Sequence, residues 1–256
     1  MTLQQLIDQA HRIVFFGGAG VSTESGIKDF RSQDGLYHMK YDYPPEEILS
    51  HTFFVRKPEE FFRFYRDKLV KGLTPEDYAA GEGIEPNPAH KKLAELEQAG
   101  KLSSVITQNI DGLHQRAGSR KVLELHGSVM RNYCPKCGRF FGVEAITDPD
   151  LLDEKGIPCC PDCAEKGIRA IIKPDVVLYE EGLDENILYD SVSEIESADL
   201  LIVGGTSLNV YPAAGLLRYF RGSHLVLINR DPTSADRNAD LVIREPIGQV
   251  LGQIKV

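Results

Sequence analysis

Short, almost entirely apolar runs recur along the chain, separated by stretches whose apolar positions have helical spacing. The runs are rich in β-branched and aromatic residues, which is typical of buried strands. They span residues 13–16, 104–107, 122–125, 200–203, 225–228 and 240–243, and helices are predicted before the first two, at 3–12 and 91–98. Because the runs show little polar alternation, each strand is expected to be covered on both faces. The pattern therefore predicts an α/β fold with a doubly wound parallel sheet.

A glycine-rich turn follows the first run directly. It contains Gly18 and Gly20, whose missing Cβ atoms let the backbone turn sharply and approach a ligand closely. If a helix starts there, its first N–H groups and its dipole favour a phosphate. Thr23 stands where the dinucleotide-binding fingerprint has its third glycine. The turn alone is therefore compatible with a pyrophosphate site or with no ligand.

Small and polar residues follow the other predicted strands as well. They include Gln108, Asp111, His126, Thr206 and Asn229. The carboxyl ends of parallel strands lie along one edge of a sheet, which is where ligands bind in such folds. This repetition favours a nucleotide site at that edge over a turn without a ligand.

The segment from residue 36 to residue 87 is rich in aromatic residues and carries signals of helix starts. Proline followed by two acidic residues occurs at 45–47 and again at 58–60, a composition typical of a first helical turn. We therefore expect a helical insertion here. We interpret its aromatic side chains as the packed core of short helices rather than as a ligand-binding cage.

All five cysteines lie between residues 134 and 163. Cys134 and Cys137 form one C-x-x-C pair, Cys160 and Cys163 form another, and 22 residues separate the pairs. Four thiolates at this spacing suit a tetrahedral zinc ion, and a site closed by four cysteines is structural. Cys159 is an alternative to Cys160 as the third ligand, and a redox pair or a disulfide is the alternative to zinc.

Composition narrows the classes of function. With 256 residues, of which 42% are hydrophobic and 26% charged, the chain can form one large domain and a small module. Its formal net charge of −9 argues against broad nucleic-acid binding. No apolar run is long enough for a membrane span, and the N-terminal segment has the pattern of an amphipathic helix rather than of a signal peptide. We therefore expect a cytoplasmic protein.

The ordered set of these motifs resembles the sirtuins, the NAD-dependent protein-lysine deacylases, and in particular their compact bacterial members. The resemblance covers almost the whole chain and rests on residues 18–22, 25–31, 108–111, 126–127, the two cysteine pairs, 173–177, 205–208 and 229. It implies a Rossmann-like NAD-binding domain formed by residues 1–35, 88–128 and 174–256. It also implies that residues 36–87 form the helical insertion and that residues 129–173 form a small zinc-ribbon module.

The resemblance also implies roles for individual residues. His126 matches the general base, and Asn109 matches a residue that orients the ribose or a water. The implied cofactor-binding residues are Ala19, Thr23, Phe30, Arg31, Gln108, Ile110, Asp111, Thr206, Ser207, Asn229 and Ile247. Within this set, residues 108, 110 and 111 match the floor that holds the nicotinamide and its ribose, with Asp111 at the carboxamide, and the last four match the adenosine site. The implied zinc ligands are Cys134, Cys137, Cys160 and Cys163.

The implied activity is NAD-dependent deacetylation of protein lysines, with transfer of the acetyl group to the ADP-ribose moiety and release of nicotinamide. In the family's reaction the acyl oxygen attacks the nicotinamide ribose, and the base then draws a proton from a ribose hydroxyl. An imidazole, which titrates near neutral pH, suits that base. The implied partner is an acetyl-lysine protein or peptide, expected to add as a strand near residues 176–179. Members of the family are often monomeric, so the resemblance favours a monomer.

Three other functions remain open. A protein mono-ADP-ribosyltransferase on the same scaffold could dispense with the base, and a non-catalytic NAD- or nucleic-acid-binding module with zinc would not require the intact set of polar residues. The presence of Asn109 and His126 favours the deacetylase. The third is a lysine desuccinylase, because Tyr65 and Lys68 lie near the tyrosine and arginine of members that prefer acidic acyl groups. A lysine offers no bidentate fork to a carboxylate, so we expect acetyl to be preferred over succinyl.

Three positions depart from the commonest family pattern. Lys28 replaces a frequent proline, and the stretch after Cys163 is longer than typical. Glu180 stands where the family usually has the glycine of a Phe-Gly-Glu sequence. We expect this last replacement to alter how a peptide approaches the site.

Overall fold

The computed structural model of the protein describes residues 1–29 and 43–256. Its strands are β1 (Ile13–Gly17), β2 (Leu102–Thr107), β3 (Val122–Glu124), β4 (Gly127–Tyr133), β5 (Phe140–Phe141), β6 (Lys173–Val176), β7 (Leu200–Gly204), β8 (His224–Ile228) and β9 (Leu241–Ile243). Its α-helices are α1 (Leu3–Gln9), α2 (Pro45–Ile48), α3 (His51–Arg56), α4 (Pro58–Tyr65), α5 (Pro75–Ala79), α6 (Pro88–Gln98), α7 (Leu113–Arg116), α8 (Pro161–Ala164), α9 (Glu185–Ser197) and α10 (Ile247–Gly252). Each of the apolar runs in the sequence forms a strand, as predicted.

Six strands form one parallel sheet in the order β3-β2-β1-β7-β8-β9. The chain builds outwards from β1 in one direction and later starts again at β7 in the other, so the predicted doubly wound α/β architecture is confirmed. The order reverses between β1 and β7. In sheets of this kind a ligand-binding crevice forms outside the carboxyl ends of the two strands at the reversal.

Both faces of this sheet are covered, which explains why its strands are apolar throughout. Within β1, Ile13 and Phe15 pack with α1, α6 and α10 on one face. Val14 and Phe16 pack on the other face with α9 and the 3₁₀ segment at residues 213–219. All four side chains are fully buried. A strand with no solvent face has no place for polar alternation.

The sequence left open whether a helix with free N–H groups starts at the turn after β1. Residues 19–21 and 23–25 form two short 3₁₀ turns instead. The backbone N–H groups in this turn are not free: those of Gly18, Gly20, Val21 and Ser22 each donate to a backbone carbonyl. The cause is tertiary packing, because two of these N–H groups bond to the glycine turn that follows β7.

A second, antiparallel sheet has the order β5-β4-β6. Strand β4 begins at Gly127, immediately after His126, so the chain leaves the large sheet and enters the small one at this histidine. The cysteines lie in the connections between the strands of the small sheet.

The helical insertion is present as predicted in its described part, with α2 and α4 beginning at the two proline signals. The described aromatic residues pack into a core, and the most deeply buried of them are Phe61, Phe62, Phe64 and Tyr65. The same hydrophobic cluster includes Val129, Val143 and Ile146 from the cysteine-bearing segment. The insertion and that segment therefore share one core.

Within the described parts of the chain, no helix combines the length and the apolar character needed to cross a membrane.

Candidate active site

Two glycine turns meet at the crevice between β1 and β7. Gly20 donates its backbone N–H to the carbonyl of Gly205 at 2.8 Å, and Gly18 donates to the carbonyl of Gly204 at 3.3 Å. A Cβ at position 20 would lie 2.8 Å from the Cα of Gly205, which itself has a φ of 58°. The turns need glycine for their own close packing, and the same absence of side chains lets a nucleotide approach this edge.

Gln108 connects the crevice to the candidate base. Its Nε2 donates to Oγ1 of Thr206, in the turn after β7, at 3.0 Å. Its backbone carbonyl lies 2.9 Å from Nδ1 of His126. A carbonyl can only accept, so Nδ1 carries the hydrogen and Nε2 is the basic nitrogen of the neutral ring.

His126 is half-buried where the chain passes from β3 to β4. Burial lowers its pKa more than the hydrogen bond to Gln108 raises it, so the pKa lies below the usual value for histidine. The ring is therefore neutral near pH 7, the state in which it can accept a proton. The carbonyl of His126 accepts from the N–H of Val177 at 3.0 Å. At Gly127 φ is 73°, and a Cβ would lie 1.9 Å from the carbonyl oxygen of Asp175.

A buried hydrogen-bond network lies beside the end of β2. Ser22 Oγ donates to Oδ2 of Asp111 at 2.7 Å and accepts from Nδ2 of Asn109 at 3.0 Å. Nε2 of His90 lies 3.4 Å from Oγ of Ser22, while Nδ1 of His90 accepts from the N–H of Asn87 at 3.3 Å. Nε2 of His90 therefore carries the hydrogen. The network joins the predicted residues 109 and 111 through a single serine.

Burial controls protonation in this network. It raises the pKa of Asp111, an effect that the hydroxyl of Ser22 opposes by stabilising the charged carboxylate. Burial lowers the pKa of His90 to about 4, so this ring is neutral at pH 7. The ring of His114 packs 4.8 Å from that of His90, and its pKa is lowered by burial and by its neighbour. The described residues offer the ring nitrogens of His114 no hydrogen-bond partner.

An ion-paired arginine links the two sheets next to His126. Arg131 in β4 donates to Glu124, at the end of β3, at 2.6 Å and to Asp175 in β6 at 2.8 Å. Glu124 is 7% exposed at its side chain. Because each of the three residues lies on a different strand, the pairing fixes the position of the histidine-bearing junction between those strands.

Three further predicted cofactor-binding residues lie in the first glycine turn or follow β2. Thr23 donates its hydroxyl to the carbonyl of Gly20 at 3.0 Å, and Ala19 is half-buried in the first 3₁₀ turn. The carbonyl of Ile110 accepts from the N–H of Val129 at 2.9 Å. Their roles toward a ligand remain predictions.

The predicted adenosine-side residues flank the carboxyl ends of β7 and β8. Thr206 is buried and Ser207 half-buried in the turn after β7. Asn229 follows β8, and its Nδ2 donates to the carbonyl of Asp231 at 2.8 Å. Ile247 is buried at the start of α10, and a Cβ at the last residue of β7 would lie 2.2 Å from its Cδ1. Phe30 and Arg31 lie outside the described residues.

Two residues of the network received no role from sequence reasoning, namely Ser22 and His90. Ser22 belongs to the glycine-rich motif, and His90 lies in the first turn of α6. Their contacts join residues 68 and 89 positions apart in the chain. The sequence does show that His90 stands near a helix start marked by Pro88. That position alone does not connect His90 to the site, because the connection is a tertiary contact.

Four sulfur atoms converge beside the small sheet. They belong to Cys134, Cys137, Cys160 and Cys163, and all lie within 4.8 Å of one another. The closest Sγ pairs, 134 with 163 and 137 with 160, are 3.6 Å apart. A tetrahedral zinc site with Zn–S bonds of about 2.3 Å has edges of about 3.8 Å. The four cysteines are thus positioned to bind zinc, whereas Cys159 lies outside the cluster and pairs with Ile171 in a β-bridge.

Comparison with known proteins gives one consistent result. The Sir2 family model matches residues 18–212. A protein from Clostridium acetobutylicum named NAD-dependent protein deacetylase is 53% identical over 251 residues, covering 97% of this chain and 95% of that protein. A protein of the same name from Cutibacterium acnes is 52% identical over 260 residues, covering 100% and 98% respectively.

Solved structures agree with the sequence relatives. A structure described as Sir2 with a p53 peptide and NAD+ has a TM-score of 0.81 and 36% identity, covering 98% of this chain and 96% of that one. A Sir2 variant with a deacetylated p53 peptide and 3'-O-acetyl ADP-ribose has a TM-score of 0.82 and 37% identity, with the same coverage. The matched residues include both glycine turns, the four cysteines and the histidine at the junction of the sheets. The chain belongs to the Sir2 family.

Proposed function

We propose that the protein is an NAD-dependent protein-lysine deacetylase that transfers the acetyl group to the ADP-ribose moiety and releases nicotinamide. One observation carries the proposal: neutral His126 and the buried network of Asn109, Ser22 and Asp111 meet at one sheet edge, linked by consecutive residues after β2. The relatives from Clostridium and Cutibacterium bear the name of this activity.

The polar groups at this sheet edge suit NAD. The glycine turns lie at the reversal point of the sheet, where nucleotides bind in such folds. Gln108 bonds to Thr206 in this crevice through its side chain and to His126 through its backbone carbonyl. When bound, NAD supplies a nicotinamide leaving group and a ribose carbon that accepts the acyl oxygen. We assign Gln108, Ile110 and Asp111 to the nicotinamide end, with Asp111 at the carboxamide. The adenosine end is assigned to Thr206, Ser207, Asn229 and Ile247, and the loop contacts to Ala19, Thr23, Phe30 and Arg31.

His126 is the general base of this proposal. Its Nε2 accepts the proton, because Nδ1–H is held by the carbonyl of Gln108 and the lowered pKa keeps the ring neutral. Asn109 positions the ribose or a water, with its amide oriented by Ser22. A positioned base of this kind contributes about 10²- to 10⁴-fold to the rate.

Zinc has a structural role in this proposal. Four thiolates fill a tetrahedral coordination shell and leave no position for a substrate or a reactive water. Three of the cysteines, Cys134, Cys160 and Cys163, are buried in the core of the small sheet. The metal would therefore hold that sheet together rather than take part in the reaction.

The peptide substrate is proposed to pair with backbone that follows β6. Related structures include Sir2 bound to an acetylated peptide. Of the predicted segment 176–179, Tyr179 already uses both backbone groups, donating to the carbonyl of Leu49 and accepting from the N–H of His51. We therefore leave Tyr179 out of the proposed pairing segment and keep residues 176–178. The N–H groups of Val177 and Leu178 bond to His126 and Glu181, so a peptide that pairs with Leu178 has to displace the side-chain bond from Glu181.

The acyl preference is proposed to be acetyl over succinyl. Tyr65 is fully buried, and Nζ of Lys68 lies 2.6 Å from Oδ2 of Asp67. A lysine whose charge is already paired is a poor partner for an additional carboxylate. Rates on acetyl and succinyl forms of one peptide test this, and faster succinyl removal would contradict it.

We further propose three domains: an NAD-binding domain of residues 1–35, 88–128 and 174–256, a helical insertion of residues 36–87, and a zinc module of residues 129–173. We also propose that the protein is a cytoplasmic monomer that does not bind nucleic acid. The elements of the large sheet fall within the first set, and the cysteines fall within the third. Light scattering of the purified protein measures the oligomeric state, and a dimer mass would contradict the monomer.

The decisive experiment measures nicotinamide release from NAD with and without an acetyl-lysine peptide, for the wild type and for His126→Ala. The deacetylase requires peptide-dependent release with matching deacetylation, and a loss of about 10²-fold or more in the variant. Release that ignores the acetyl group but labels protein would instead indicate a mono-ADP-ribosyltransferase. Absence of release, with NAD and zinc still bound, would indicate a binding module.

A further inference from the structure

Glu180 adopts a backbone conformation that is unusual for its residue type. Its φ is 77°, and among the described non-glycine residues only Leu208 shares a positive φ. Such a conformation is unfavourable for a residue with a Cβ and persists only where its surroundings hold it. Leu208 is buried and held by packing, whereas Glu180 is exposed. Something other than burial must therefore hold Glu180.

Its own carboxylate provides that restraint. Oε2 of Glu180 accepts from the backbone N–H of Thr52 at 2.9 Å and from Oγ1 of Thr52 at 2.7 Å. Thr52 lies in the first turn of α3, where backbone N–H groups have no partner within the helix. These bonds lower the pKa of Glu180, so the carboxylate is charged at neutral pH and the hydrogen bonds are charge-assisted.

The neighbours of Glu180 bond to the same part of the insertion. Tyr179 exchanges backbone bonds with residues 49 and 51. Oε1 of Glu181 lies 2.9 Å from Nδ1 of His51, and its Oε2 accepts from Lys173 at 3.1 Å and from the N–H of Leu178 at 2.9 Å. We call the contacts between residues 49–52 and 179–181 the clasp.

The clasp lies close to the reacting groups along the chain. Val177 donates its backbone N–H to the carbonyl of His126 at 3.0 Å, and only Leu178 separates it from the clasp. Residues 176–178 are thus fixed at one end by the base-bearing junction and at the other end by α3. Loss of the Glu180 carboxylate would weaken the second attachment, in which the bonds of Tyr179 and Glu181 would remain, and would leave the first in place.

We propose that Glu180 is a positioning residue for the peptide substrate. Together with the backbone bonds of Tyr179, its bonds to Thr52 fix the left-handed turn that follows residues 176–178 and so position this segment for pairing with a peptide strand. The inference rests on the proposed deacetylase function. It assigns to this glutamate a role that a glycine at the same position cannot fill, because glycine has no side chain with which to bond to α3.

The test combines steady-state kinetics with hydrogen exchange of the full-length, zinc-loaded protein. Glu180→Gly removes the carboxylate while allowing the positive φ, so any defect comes from the lost anchor and not from strain. We expect the KM for an acetyl-lysine peptide to rise about tenfold, with kcat and the KM for NAD within about twofold. Amide exchange of residues 177–183 should become faster in the same variant.

Variants of Thr52 and a charge control separate the loss of the Glu180–Thr52 hydrogen bonds from the loss of a negative charge. Thr52→Val removes the hydroxyl donor but keeps the backbone donor, so a rise of about threefold in peptide KM is expected, and Thr52→Ser should restore the wild-type value. Glu154→Gly removes the same charge from an exposed turn, and among the described residues Glu154 has no hydrogen bond or ion pair. This control should leave the peptide KM unchanged.

Three outcomes would overturn the proposal. The first is a wild-type peptide KM in Glu180→Gly. The second is a raised KM without faster exchange of residues 177–183, which would show that charge and not position is responsible. The third is a wild type that releases no nicotinamide in response to acetyl peptide, which refutes the proposed function itself; the exchange data would then still report whether Glu180 orders the segment.

Discussion

The large sheet and the small sheet of this protein are held together by different forces. Strands β1, β7 and β8 of the large sheet lie between two hydrophobic layers, so apolar burial alone specifies their place. The small sheet has strands of seven, two and four residues, and three of the four clustered cysteines lie in its core. Part of this layer shares a hydrophobic core with the helical insertion, and four cysteines beside it are positioned to bind zinc. A bound zinc ion would add metal-coupled stability to a layer this small.

The difference matters because the candidate base lies at the boundary. His126 follows the last strand on one edge of the large sheet, and Gly127 begins the small sheet. Its side chain bonds to the large sheet through Gln108, and its backbone bonds to the small sheet through Val177. The geometry of the base therefore depends on both kinds of stability, and three perturbations separate them.

Removal of zinc should have the largest effect and should be confined to the small sheet. Structural zinc contributes on the order of 10 kcal/mol to the folding of small modules. With a chelator, or in Cys160→Ser, residues 129–173 should lose protection from hydrogen exchange while β1 and β7 keep theirs, and deacetylation should be lost. Cys159→Ser is the matched control, and it should keep one zinc per chain by metal analysis. Loss of zinc in Cys159→Ser with retention in Cys160→Ser would reverse the ligand assignment.

A methyl group at Gly127 should distort the backbone at the junction of the two sheets. Its φ of 73° and the 1.9 Å distance from a Cβ to the carbonyl oxygen of Asp175 combine backbone strain with a clash against main chain. Gly127→Ala should lower the free energy of unfolding by about 3–5 kcal/mol and strongly reduce activity. Gly100→Ala has the same φ of 73° but open space around the Cβ, and it should cost only about 1–2 kcal/mol. Equal losses in urea unfolding would refute a special role for the boundary.

Acid should lower the free energy of unfolding through His90, which packs beside the large sheet. Its pKa is about 4 in the folded protein and about 6.5 when unfolded, so only the unfolded chain takes up a proton between these values. The free energy of unfolding should therefore fall by up to about 3 kcal/mol as the pH decreases from about 6.5 to about 4. Urea titrations of His90→Asn should show a shallower slope in this window, and the exposed-site control His11→Asn should not. A slope unchanged in His90→Asn would contradict the assignment.

The strands and the cysteine cluster could be predicted because their signals are local. Four consecutive apolar residues, as at 200–203, are enough to indicate a strand that is buried on both faces. The spacing of a C-x-x-C pair is likewise enough to bring two thiolates close together. The strands form the doubly wound parallel sheet that these runs predicted.

The buried network could not be predicted in the same way. Ser22 meets Asp111 across 89 positions, and His90 meets Ser22 across 68, so no window of sequence contains the contact. The sequence left open whether a helix starts at residues 19–25, and the answer depended on bonds from the N–H groups of Gly18 and Gly20 to the distant residues 204 and 205. Glu180 shows the opposite case: the sequence marked it as unusual, but only the structure showed its partner.

The bond from Nδ1 of His126 to the backbone carbonyl of Gln108 has a consequence for how this enzyme can evolve. The nitrogen that remains free to take a proton is chosen by the main chain, and every residue type has the same carbonyl. Substitution at position 108 can therefore change the contact with Thr206 without changing the tautomer of His126. Under the proposed function, ligand recognition at this edge is thus open to genetic variation, while proton transfer by His126 is insulated from it.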